Sequence, residues 1–170
     1  MKKAIIITHK NVQDHEFIYP YYRLQEAGYA VDVATQDGLD TIGNLGTKIP
    51  VNKKIDDLES DEYSLLVLPG GAKAMEYMRP HQGTIDFIAS WDKAGKPIGA
   101  ICHATQLLIS AKIVKGRKMS GYYSIKDDVN NAGAEYVDAP FVTDRNIVTS
   151  PHYKYLGDWM RETLRIAGAK

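Results

Sequence analysis

Five short apolar runs, separated by stretches whose hydrophobic residues recur at helical spacing, set the expectations for this chain. "KKAIIIT" (2–8), "AVDVAT" (30–35), "SLLVLPGG" (64–71), "PIGAIC" (97–102) and "NIVTS" (146–150) read as strands. The first and third are continuous apolar runs, the pattern of strands covered on both faces. Between them, "QDHEFIYPYYRLQEAGY" places Phe17, Ile18, Tyr21 and Leu24 at helical spacing and stops at Gly28. Pro20 interrupts that pattern and predicts a kink or an uneven start. "TIGNLGTKIPVNKKI" (41–55) has the glycines and alternation of a hairpin or extended excursion. Further helices are predicted over "GTIDFIASWDKAG", "HATQLLISAKIV", "SIKDDVNNAGA" and "YKYLGDWMRETLRIAG". Strands alternating with helices across short loops predict an α/β fold with a mostly parallel, doubly wound sheet. Ligands of such sheets bind at the carboxyl ends of the strands. Those ends carry "GG", "CH" and "TSPH".

Composition narrows the picture mainly by exclusion. At 170 residues and 44% hydrophobic, the chain suits one domain, 1–170, with a substantial core. Its 21 basic and 21 acidic side chains cancel without forming a like-charge block, so neither nucleic acid nor an anionic membrane is an expected partner. The longest apolar runs fall far short of the ~20 residues of a membrane span. The apolar part of "MKKAIIITHK" is too short for a signal peptide, and a cytoplasmic location is expected. One cysteine allows no intrachain disulfide and no cysteine-cluster metal site. The five histidines show no paired ligand spacing, so no metal and no cofactor are expected.

The single cysteine carries the candidate chemistry. In "PIGAICHATQLLIS", Cys102 stands where a predicted strand hands over to a predicted helix, the sequence form of a nucleophile elbow. A helix start and its free N–H groups favour a thiolate. The competing assignment is a small buried thiol used for packing. His103 follows directly, although neighbours at a turn often point apart. Gly70 and Gly71 end the third strand and could direct backbone N–H groups at the same sheet edge, where they and the His103 N–H would form an oxyanion hole.

"LPGG", "GKPIGAICHATQLLISA" and "GRKMSGYYSIKDDVNNAGAEYVD", with "DHEFIYPYYRLQEAGYAVDVAT" and "WMRETL", resemble the ThiJ/PfpI superfamily, in particular its PfpI-type intracellular peptidase branch. The resemblance spans almost the whole chain. It implies a flavodoxin-like three-layer sandwich of the class I glutamine amidotransferase type, assembled as a homodimer or a trimer of dimers with sites at subunit interfaces. It implies Cys102 as nucleophile and His103 as its partner, with Glu76 reaching the histidine from a neighbouring subunit. Tyr122 would line the pocket, and Gly71 and the His103 N–H would serve as oxyanion donors.

Three departures from the family pattern bear on activity. Relatives carry a glutamate, implied to contact the sulfur, where "NVQDHEF" has Gln13; Asp14 and Glu16 match the family's following acids. Near the end, "TSPHYKYLGD" puts Pro151 and Tyr155 where relatives have arginine and aspartate, so His152 and Tyr153 are expected to alter the pocket wall or the subunit contact. "CHA" replaces the common "CHG". An amide at position 13 can hydrogen-bond a thiolate but cannot shuttle a proton, which counts against glyoxalase- or deglycase-like turnover. Three functions follow from these readings. The first is a cysteine-dependent hydrolase or carbonyl-processing enzyme in stress protection, acting on a small electrophile or a short peptide. The second is a hydratase of the isocyanide type, and the third a redox-sensing stress protein in which Cys102 oxidises. Glutamine amidotransfer is set aside, because His152 is followed by Tyr153 and Lys154 and not by the required His-x-Glu.

Overall fold

The computed structural model describes residues 1–169. In chain order its elements are β1 (Lys3–Ile7), α1 (Asp14–Glu26), β2 (Ala30–Thr35), β3 (Thr41–Ile42), β4 (Lys48–Ile49), β5 (Lys53–Lys54) and β6 (Leu65–Leu68). There follow α2 (Ala72–Met78), α3 (Gln82–Lys93), β7 (Ile98–Ile101), α4 (Thr105–Ser110), β8 (Lys118–Met119) and α5 (Lys126–Asn131). The chain ends with β9 (Glu135–Tyr136), β10 (Val142–Asp144), β11 (Ile147–Ser150) and α6 (Leu156–Ile166). The main sheet has the order β10-β11-β7-β6-β1-β2-β5, parallel throughout except for the antiparallel edge strand β10.

Alternation along the strands builds the two faces of this sheet. Ile5 and Ile7 of β1, Leu66 and Leu68 of β6 and Ala100 of β7 pack against Met75, Ile88, Trp91, Leu107 and Val129 from α2 to α5. Ala4, Ile6, Leu65, Val67 and Val148 face Phe17 and Leu24 of α1 and Trp159, Met160 and Leu164 of α6. Because both faces are covered, β6 and β7 are apolar at every position, and β1 is apolar from Ala4 onward.

Several predicted elements differ in detail. Helix α1 runs unbroken through the buried Pro20, and the predicted apolar position Ile18 is exposed. The helix's inward face is formed by Glu16, Phe17, Pro20 and Leu24. The expected helix over 103–114 is a 3-10 turn at Cys102–Ala104 followed by the six-residue α4, and Lys112 stops the chain at φ +59°. In the 41–55 excursion, β3 and β4 form the hairpin and β5 then joins the edge of the main sheet.

That hairpin is held to α1 by one side chain. The Leu45 and Thr47 N–H groups donate to the Asp14 carboxylate at 2.7 and 2.9 Å. Although burial acts in the opposite direction, hydrogen bonds from Thr47 and Leu45 hold the Asp14 carboxyl below its usual range. We expect Asp14→Ala to speed amide exchange across residues 41–49 and to cost about 2 kcal/mol, the scale of hydrogen bonds to a charged acceptor. Unchanged exchange there would mean that the hairpin holds itself in place.

Candidate active site

The elbow forms because three segments meet at the carboxyl ends of β1, β6 and β7. Cys102 leaves β7 at φ +61°, a left-handed conformation that costs a non-glycine residue energy and is kept where the surroundings enforce it. Gly70 and Gly71 make room for it. A Cβ on Gly70 would lie 2.6 Å from the Ile101 carbonyl oxygen and 2.9 Å from the Cys102 Cβ. Gly71 has φ +103°, and a Cβ there would lie 2.6 Å from the Gln13 nitrogen. The thiol itself is 6% exposed at the floor of a pocket of about 340 Å³. It is thus both buried and accessible from the pocket.

The sulfur lies 3.3 Å from the Nδ1 of His103, so these two sequence neighbours do meet. The backbone N–H groups of His103 and Gly71 also bear on the sulfur and favour its anion. They are the donor pair that an oxyanion formed at this site requires. Gly70 is not part of that pair. Its N–H donates to Glu16 Oε2 at 3.1 Å.

Glu16 is where the structure corrects the sequence reading most. The carboxyl facing Cys102 belongs to Glu16 and not to position 13. Glu16 is wholly buried, and its Oε1 has no nitrogen or oxygen partner. Burial raises its pKa to about 8, with hydrogen bonds from the Cys102 thiol and the Gly70 N–H pulling partly back. Burial also pushes the Cys102 thiol up, and the charge of Glu16 adds to that. The expectation of a thiol acidified by a helix start therefore fails, because α4 is short and the sulfur is desolvated. Burial keeps the sulfur protonated at neutral pH, with only the His103 and Gly71 N–H groups acting toward the thiolate. Below about pH 8 Glu16 keeps its proton, so its repulsive charge is absent and its O–H can be donated to the sulfur.

The other predicted residues separate into pocket wall and scaffold. Gln13 lines the pocket, but its Oε1 caps α1 by accepting from the His15 N–H at 2.7 Å. Asp14 is spent on the hairpin and does not line the pocket. Tyr122 stacks on His103 with ring centroids 4.7 Å apart, and His152 and Tyr153 continue the wall. The His152 Nδ1 accepts from the Lys154 N–H, and burial, reinforced by Lys154, lowers its pKa. Burial likewise lowers the pKa of His103. Glu76 is exposed on α2, and among the described residues no hydrogen bond or ion pair joins it to His103 within the chain. Asn11, Asn44 and Lys73 also line the pocket and were not singled out from the sequence. Nothing in their local sequence marks them, since the three come from different loops and helices. Glu16 did leave a signal: it lies four residues before Pro20 and eight before Leu24, on the stripe that α1 buries.

Comparison with known proteins places the chain in a family and a fold. The DJ-1/PfpI family model matches residues 2–166. The chain is 40% identical to "Deglycase TK1284" of Thermococcus kodakarensis and 38% identical to "Deglycase PfpI" of Pyrococcus furiosus, each over 96% of this chain and 98% of the relative. The crystal structure of Drosophila melanogaster DJ-1beta superposes with a TM-score of 0.90 at 27% identity, covering 99% of this chain and 92% of that one. The fold is accordingly of the class I glutamine amidotransferase-like type.

Proposed function

The chain belongs to the DJ-1/PfpI family, and from the geometry of its elbow we propose that it is a cysteine-dependent carbonyl-processing enzyme of the glyoxalase or deglycase kind. One observation carries this reading: the buried Glu16 carboxyl stands beside the elbow, its Oε2 accepting from the Gly70 N–H at 3.1 Å and bordering, with the Cys102 Cβ, the space that a side chain on Gly70 would fill. The carboxyl that Gln13 lacks is thereby supplied from the next turn of the same helix.

The reaction then runs on groups of this chain. His103 Nδ1 takes the Cys102 proton, and the thiolate is held by the Glu16 O–H and two N–H groups. The sulfur adds to the aldehyde carbon of a 2-oxoaldehyde, and the Gly71 and His103 N–H groups receive the oxyanion. Imidazolium protonates that oxygen, giving a hemithioacetal. Imidazole next removes the hydrogen from this carbon, the neighbouring carbonyl carbon is reprotonated, and the hydroxyl proton passes to the neighbouring oxygen. The hemithioacetal has become a thioester, with one carbon oxidised and its neighbour reduced. Water cleaves the thioester to a 2-hydroxy acid and returns the thiol. No outside oxidant is needed. In an amine or thiol adduct the aldehyde carbon is already tetrahedral, so the sulfur displaces the amine or thiol, which leaves with the proton held by the imidazolium, and the same hemithioacetal results.

The pocket volume supports a small substrate over an extended peptide. Glu76 of a second copy, reaching His103 across a subunit interface in the cytoplasm, completes the proposal. Its carboxylate would offset the burial that holds His103 neutral. The test is methylglyoxal consumption in D₂O. We expect lactate carrying one solvent deuterium at C2, and no product from Cys102→Ala. If the wild type yields no lactate, or if Cys102→Ala matches it, the carbonyl reading is overturned.

A further inference from the structure

The charge of the pocket wall is unbalanced. Among the described residues, the wall around Cys102 is built from residues bearing carboxamides (Asn11, Gln13, Asn44), imidazoles and phenols, one lysine, Lys73, and no acidic residue. Glu16 lies behind the sulfur and outside the wall, and it is neutral below about pH 8. Lys73 enters no hydrogen bond or ion pair among the described residues.

Resting on the carbonyl reading above, we propose that Lys73 selects substrates bearing a carboxylate next to the reactive carbonyl adduct, as an amino-acid adduct of a 2-oxoaldehyde does. A monoanion matches one ammonium flanked by carboxamides. A phosphate monoester carries nearly two charges and is ordinarily met by several cations or by an arginine fork, which this wall does not provide.

Two measurements on the full chain test this separately from the carbonyl chemistry. The first is the rate of Cys102 alkylation by iodoacetate relative to iodoacetamide, which needs no turnover. We expect the ratio to fall about threefold to fivefold in Lys73→Met, the scale of one partly exposed charge pair, and to persist in Lys73→Arg. The second compares kcat/KM for methylglyoxal adducts of N-acetylcysteine and of its methyl ester. Wild type should prefer the carboxylate adduct, and Lys73→Met should lose that preference. An alkylation ratio that Lys73→Met leaves unchanged overturns the proposal. So does equal use of the two adducts by the wild type. If neither adduct turns over but the alkylation ratio shifts, the carbonyl reading fails and the anion-selecting role of Lys73 is supported.

Discussion

A Glu16→Gln variant is expected to withstand alkaline conditions better than the native protein. The native carboxyl titrates near 4.5 when unfolded and near 8 in its buried site, so across that interval the folded state holds a proton that the unfolded state has released. Stability must therefore fall as pH rises from about 4.5 to about 8. Integrated over the interval, the loss is at most about 5 kcal/mol. Glutamine cannot ionise, and its carbonyl oxygen can still accept from the Gly70 N–H, so the variant escapes the loss. Burial lowers the pKa of His9, His103 and His152, which makes stability rise with pH near their range, but both proteins share that contribution. The difference between the two unfolding free energies thus isolates Glu16. Denaturant titrations from pH 5 to pH 9 should show the gap widening in favour of the variant. Parallel curves would mean that the carboxyl is solvated in the folded protein. Iodoacetamide offers a second readout. The native thiol should gain less reactivity above pH 8 than the variant's, because only the native protein develops a second negative charge beside the sulfur.

Removing Arg117 should cost much stability while leaving the site intact. Its guanidinium is 8% exposed and forks onto the Asp92 carboxylate at 2.9 and 3.0 Å. Asn146 closes the network by accepting from Arg117 and donating to both Asp92 and the Lys96 carbonyl. The cluster pins the amino end of β7 to α3, on the opposite edge of the sheet from Cys102. Arg117→Met leaves the half-buried Asp92 carboxylate without its cation and with only Asn146 donating to it, a change worth up to about 3 kcal/mol. Pairing it with Asp92→Leu should recover much of that, because the desolvated charge is then gone as well. A single variant that melts with the native protein would show that the ion pair contributes little. Both variants should retain native-like Cys102 alkylation while folded.

The sequence by itself determined the layered architecture. Apolar runs such as "AIII" and "LLVL" leave no polar face, so those strands had to be covered on both sides. The order of strands and helices then required a parallel sheet with its ligand edge at "GG", "CH" and "TSPH". The same linear logic found Cys102, because an elbow is a local event: a strand, one strained residue and a helical turn. It found His103 and Tyr122 through the same stretch and its resemblance to relatives.

What only the tertiary structure decided is which way each side chain points. Gln13, Asp14 and Glu16 lie within four residues of one another, and the sequence reading set position 13 against the sulfur. The starting phase of α1 assigns the first to the helix cap, the second to the hairpin and the third to the buried stripe beneath the elbow. Each residue of helix turns the side chain through about 100°, so the phase of the helix settles the assignment. Burial then sets the chemistry, since a carboxyl titrates near 8 only where water is excluded from it. Position along the chain carries neither quantity, so the elbow cysteine could be read from the sequence while the carboxyl beside it and its titration depended on the fold.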